Sequence, residues 1–181
     1  MPLYSRKLEN LQQLFLKELR DLYDAENQIT EALPRLIEAA HHPELKNVLQ
    51  KHRNVTKQQI TRLNRIFDVL NEKPTGESCQ GMKGLLKEGT EFASAEGDPG
   101  TIDAGIINAA QRVEHYQIAV YGAVQTYAEL MRTYAELLEQ QEMACLLQET
   151  LDEKKEADET LSNIANSVNA ESLFERPKGL G

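Results

Sequence analysis

The sequence has no tryptophan and, in 181 residues, only two cysteines, Cys79 and Cys145. Two thiols are too few for a disulfide framework or a thiolate zinc site, so a reducing cytoplasm is the default compartment. Aromatic residues make up 6%, which disfavours a stacking platform for single-stranded nucleic acid. No apolar run reaches 18 residues, which excludes a transmembrane helix. The opening stretch MPLYSRKLENLQQ lacks an apolar h-region, so no secretory signal is expected. Basic residues are outnumbered, 20 Lys plus Arg against 29 Asp plus Glu, for a net charge of −9. That balance argues against nucleic-acid and anionic-membrane partners, which both need a basic face. No Gly-x-Ser-x-Gly occurs and no glycine-rich phosphate loop opens a helix, so hydrolase readings fare poorly. What is present is 40% hydrophobic and 27% charged residues, enough for one domain with a single core.

The apolar residues recur at helical spacing. Leu11, Phe15, Glu18, Leu22, Glu26, Ile29, Leu33 and Leu36 mark one face of a first helix, apolar except at Glu18 and Glu26. Ser5 is its expected N-cap, and Pro34 is expected to kink or loosen its last turns. A second helix is expected from Glu44 to Asn71, with a face running from Leu45 through His52, Val55 and Gln59 to Leu70. The polar connector NEKPTGES leads to CQGMKGLLKEGTEFASA, which reads as a short helix packed across one end of a bundle. After the turn EGDPG, Thr101 can cap a third long helix bearing Ile106, Ala110, Val113, Glu114, Gln117 and Tyr121, with Asp103 near its positive start. A fourth carries Leu146, Leu147, Thr150, Glu153, Ala157, Leu161 and Ile164. Where the third ends is not signalled, because TYAELMR-TYAELLE repeats a heptad without Gly or Pro. The expected fold is all-α: four long helices, up-down, long crossover, up-down, with a short extra helix in the crossover, as in ferritin-like bundles. Residues 1–170 form the domain and 171–181 a frayed tail.

Three carboxylates, Glu26, Glu114 and Glu153, sit at core-facing phase on different helices. Such acids repel each other in a dry core unless they are protonated or bound to a cation. Ferritin-like di-metal bundles hold two cations with a Glu from each of two helices and a Glu-x-x-His from each of the others, a set suited to iron or manganese. No Glu-x-x-His occurs here. Glu114 and Glu153 are level only if the turn between their helices falls near Arg132 to Tyr134. For any one of these acids, the plainer reading is a half-exposed Glu paired with Lys or Arg. His52 reads more readily as a hydrogen-bonded core histidine than as a ligand. Tyr23, Tyr116 and Tyr121 read as packing residues, and Cys79 has no catalytic partner.

The stretches ELRDLYDAENQITEALPRL, LQKHRNVTKQQITRLNRIF, INAAQRVEHYQIAVYG and LLQETLDEKKEADETL resemble the ferritin-like stress-response family of the YciE/YciF type. The resemblance runs from about Leu8 to Ala165. It implies a bacterial, dimeric ferritin-like bundle with a stress association and a di-metal carboxylate site. Glu26 matches the family's first-helix Glu. The second-helix pattern H-x-x-E-T is His52-Arg53-Asn54-Val55-Thr56 here, so its carboxylate is Val55, and Gln59 stands for a His. In V-E-H-Y-E the last Glu is Gln117, and in E-E-K-x-x-D the second Glu is Lys154. All these departures remove anionic ligands. Two functions are therefore weighed. The first is a homodimeric bundle with a degenerate or lost di-metal site, binding no metal or only weak iron or manganese through Glu26, Glu114 and Glu153. The second is a metal-dependent oxidase or peroxide-handling protein using those three acids. In the first, a Lys154 ammonium inside the layer could take the place of a cation.

Overall fold

The structure is a computed structural model that describes residues 8–75, 77–135 and 138–174. Five helices and no strand occur among them: α1 (Leu11–Ala39), α2 (Pro43–Leu70), α3 (Gln80–Phe92), α4 (Pro99–Ala135) and α5 (Leu138–Phe174). The four-helix plan with an extra helix in the crossover is as the periodicity predicts.

Helix ends follow local chemistry. Asn10, not Ser5, caps α1, its side chain accepting from the Gln13 N–H at 2.8 Å. Ser5 lies outside the described residues. α1 continues five residues past Pro34. α2 starts on Pro43, whose fixed φ suits a first turn, and stops at Asn71 in the left-handed region (φ 51°). α4 is capped by Asp98, which accepts from the N–H and the hydroxyl of Thr101, so Thr101 is the capped residue and not the cap. Asp103 does more than complement a dipole. It is buried and accepts from the backbone N–H of His41 (2.8 Å) and His42 (2.6 Å), tying the α1–α2 corner to the start of α4.

Pairings across the bundle set the directions. Asp103 meets the end of α1 while Tyr121 reaches Glu26, so α1 and α4 are antiparallel. Gln111–Ser162 and His115–Asp158 make α4 and α5 antiparallel. Gln59–Glu153 and Lys51–Glu156 do the same for α2 and α5. α1 therefore faces α5, and α2 faces α4, across the two diagonals. The crossover must return along the full bundle, and α3 carries it. Rather than crossing one end, α3 lies lengthwise on α1 and α4: Cys79 N–H donates to Asp24, and Arg112 pairs with Glu88. Two glycines allow this approach. A Cβ on Gly81 would meet the Tyr116 ring at 2.8 Å, and one on Gly105 the Phe92 ring at 2.5 Å.

The core divides into two apolar clusters. One is built on Ile29, Leu33, Leu49, Ile106 and Leu161, the other on Phe15, Leu22, Leu63, Tyr121 and Leu147. α5 remains helical through Phe174, and residues 175–181 lie outside the described set.

Candidate functional site

Polar groups are enclosed within the bundle interior. Glu26 of α1 is fully buried. Its Oε1 accepts from the Tyr121 hydroxyl at 2.9 Å and lies 3.1 Å from Lys154 Nζ, which also donates to Oε2 at 3.2 Å. Lys154 is itself fully buried. A carboxylate and an ammonium thus cross the α1–α5 diagonal and neutralise each other where neither meets water. Burial, then the Glu26 charge, hold the Tyr121 phenol well above its usual range, so it acts as a donor.

The other diagonal holds a second pair. His52 Nδ1 of α2 lies 3.0 Å from Glu114 Oε1 of α4. Burial pushes Glu114 up to about 8, with Lys154 opposing and Glu26 and Asp158 reinforcing. Burial, then Lys154, push His52 down to about 3. Both groups are therefore uncharged near neutrality, with Nδ1 and Oε1 close enough for one to donate to the other.

Glu153 is different. Its side chain is 26% exposed and turns toward α2. Arg62 grips it with two bonds of 2.7 Å, and Gln59 Nε2 donates at 2.9 Å. Burial works against its charge, but the Arg62 and Gln59 hydrogen bonds outweigh it and keep the acid below its usual range. Arg62 also holds Glu149. Of the three acids singled out from the sequence, the structure therefore brings Glu26 and Glu114 into the interior and leaves Glu153 at its edge.

The register explains this. With α4 reaching Ala135, the turn comes later than Arg132 to Tyr134. The His115–Asp158 pairing then sets Glu114 opposite position 159. Six residues separate that position from Glu153, about 9 Å along the axis. Among the described residues, no three His, Cys, Asp or Glu are grouped so as to hold a metal ion.

A di-metal centre fits these residues poorly. Glu26 already binds an ammonium whose charge would oppose a divalent cation, and Glu153 binds a guanidinium. Val55 offers no donor. Other groups are placed as the sequence suggests: His52 is a hydrogen-bonded core histidine, and His115 lies outside, against Asp158. Cys79 is buried against the Tyr116 hydroxyl (3.2 Å), its thiol pushed up to about 11, chiefly by burial. Sequence reasoning missed Arg62. It left Lys154 out of the fourth helix's apolar face while raising its ammonium as a replacement for a cation. The signal for Lys154 was present, because Leu147, Lys154, Leu161 and Val168 are spaced by seven and all are buried.

Between the pairs and the surface lies a cavity of about 90 Å³ reached from all five helices. Its walls include Leu33, Leu49, Val55 and Leu161, and its polar lining includes Lys51, His52, Gln59, Glu114, Glu153, Lys154 and Glu156. Several buried polar atoms there or nearby have no partner: Glu114 Oε2, Gln59 Oε1, and both amide atoms of Gln117.

The family model DUF892, a domain of unknown function, matches residues 10–173. The chain belongs to the DUF892 family. It is 35% identical over 164 residues to Protein YciF of Escherichia coli strain K12, covering 90% of this chain and 95% of that one. The crystal structure of the E. coli stress protein YciF superposes with a TM-score of 0.81 at 32% identity, covering 93% of this chain and all of that one. YcfI from Rhodopseudomonas palustris superposes at 0.79 with 39% identity, over 88% of this chain and 97% of that one. Within this DUF892 fold, no helix among the described residues is long and apolar enough to cross a membrane.

Proposed function

We propose that this chain is a stress-response helical-bundle protein, ferritin-like in plan, whose di-metal layer has degenerated. The Lys154 ammonium takes the place of a cation, and the protein acts by its surface and packing rather than by redox chemistry. One observation carries this reading: Lys154 is fully buried with Nζ 3.1 Å from Glu26 Oε1. A fixed positive charge satisfies the one acid that would otherwise most need a metal. The neutral Glu114–His52 pair and the amide at Gln117 remove further charge from the same interior. The stress association fits the E. coli relative, described as a stress protein, and the non-catalytic role fits YcfI, described as a candidate structural protein.

The same reading makes the protein a cytoplasmic homodimer. Leu8, Leu11 and Leu130 are exposed, and the antiparallel α1 and α4 bring them to one end of the bundle. Exposed leucines at one end of a bundle are consistent with a partner chain seated there. The oxidase alternative requires Lys154 to leave Glu26 and Arg62 to release Glu153.

Metal analysis of protein purified with and without added ferrous iron tests the proposal. Retention of fewer than one iron or manganese per chain after desalting is expected. Two tightly retained ions per chain would sink it. Dimerisation that survives a chelator, read by light scattering, is expected as well.

A further inference from the structure

The cavity inside the bundle leaves both room and hydrogen-bonding capacity unused. At about 90 Å³ it is far larger than the roughly 10–15 Å³ that one water requires. Ile29, Leu33, Leu49 and Leu161 give it an apolar length, and Gln59 and Glu114 also face it. Both are at most 2% exposed, and each carries one oxygen without a hydrogen-bond partner, Gln59 Oε1 and Glu114 Oε2. Buried polar atoms are almost always satisfied, so two open ones on the wall of one cavity point to an occupant. Its way in lies between α2 and α5, where Lys51 and Glu156 line the cavity with side chains that are each 69% exposed.

The open atoms set the chemistry of that occupant. Gln59 donates its amide nitrogen to Glu153, which fixes Oε1 as a carbonyl oxygen that can only accept. His52 meets Glu114 at Oε1, so that contact leaves the lone pairs of Oε2 unused. The geometry therefore calls for hydrogens directed at two oxygens. A hydroxyl brings one hydrogen and serves only one of them, and a carboxylate brings none. A primary nitrogen, in an amine or a carboxamide, brings two or more. The remaining Lys and Glu side chains of the lining make no further demand, because each has its own partner. Lys51 lies 3.4 Å from Glu156, Lys154 3.1 Å from Glu26, and Glu153 2.7 Å from Arg62. Water also brings two hydrogens, but it leaves the apolar length of the cavity unmatched.

We infer that the cavity binds a small molecule that joins a primary nitrogen to a short apolar chain, of the alkylamine or aliphatic primary amide class. The nitrogen donates to Gln59 Oε1 and Glu114 Oε2, and the chain lies along Leu33, Leu49 and Leu161. The inference rests on the reading of the interior as free of metal, since an ion at Glu114 would use the same oxygen.

Full-length protein is titrated at one pH with 1-aminobutane, butanamide, 1-butanol and butanoate, with amide chemical shifts followed by NMR. Saturable binding of the amine or the amide is expected at cavity residues, at least tenfold tighter than the alcohol and the carboxylate. Gln59→Leu removes one acceptor and should weaken the nitrogen ligand at least tenfold more than the alcohol. Val55→Phe, at the half-buried wall, should abolish binding, and it carries the test if the Leu variant fails to fold. Absence of saturable binding, which leaves the cavity to water, would overturn the inference. So would equal binding of the alcohol or the carboxylate, equal weakening of amine and alcohol by Gln59→Leu, or binding untouched by Val55→Phe. The same sample is assayed for iron and manganese. A metal-filled layer overturns the Lys154 reading and this inference together, whereas metal-free protein that ignores both nitrogen ligands overturns the inference alone.

Discussion

Replacing Lys154 with Met should be among the most damaging single changes available to this protein. The side chain keeps most of its apolar length, so packing is largely preserved and the loss is electrostatic. At 3.1 Å and an effective dielectric of about 20, the gross attraction to Glu26 is about 5 kcal/mol. Desolvating each ion costs several kcal/mol, so the intact pair contributes little against a fully apolar core. Breaking it is another matter, because Glu26 stays buried with only the Tyr121 hydroxyl as partner. A loss of about 3–5 kcal/mol is expected. For a domain of this size that lowers Tm by roughly 8–16 °C, and it lowers a urea midpoint by about 2 M at a slope of about 2 kcal/mol/M. Adding Glu26→Gln, which keeps an acceptor for Tyr121, should restore about 2–3 kcal/mol, measured by urea unfolding at fixed protein concentration. A single-variant loss below about 1 kcal/mol, or strict additivity of the two changes, would refute the pairing argument.

The Glu114–His52 pair makes stability depend on pH in a defined way. Glu114, raised to about 8, contributes stability fully present below about 4.5 and lost as pH rises through 8. His52, lowered to about 3, contributes stability present above about 6.5 and lost as pH falls through 3. The two slopes oppose each other between about 4.5 and 6.5, so Tm should plateau there and decline on both sides. Glu114→Gln should flatten the alkaline decline up to pH 8 in a series of thermal melts. Asp103→Ala strands two backbone donors at the α1–α2 corner and should cost about 2–3 kcal/mol by urea denaturation. Gly105→Ala drives a methyl into the Phe92 ring. It should destabilise by about 1–2 kcal/mol despite alanine's better helix propensity, whereas Gly84→Ala, with open space around it, should be neutral or stabilising in the same assay.

The fold was legible because its signals are local. Helical spacing at Leu22, Ile29, Leu33 and Leu36, and turn chemistry at EGDPG, set the number and order of helices without tertiary information. The path of α3 was not legible. Long-range pairings, Cys79 with Asp24 and Arg112 with Glu88, and the close approach of Gly81 and Gly105 to aromatic rings show that it lies along the bundle rather than across an end. The site was half legible. Glu26 and Glu114 stand out as acids on apolar faces, and both are buried. Glu153 and Lys154 are neighbours whose phases differ by 100°, and a core list that admits Thr150 and Ala157 favours the wrong one. The seven-residue step from Leu147 to Lys154 to Leu161 selects the lysine. Turn placement caused the remaining difficulty. The repeated TYAEL heptad has no breaker, so the offset of about 9 Å between Glu114 and Glu153 depends on where the chain reverses.

Crystals soaked in manganese, with anomalous scattering recorded, test the replacement of a cation by lysine most directly. The expected result is Lys154 Nζ within hydrogen-bond distance of both Glu26 oxygens and no anomalous peak between the four long helices. A manganese peak bridging Glu26 and Glu114, with the lysine side chain swung away, would contradict it.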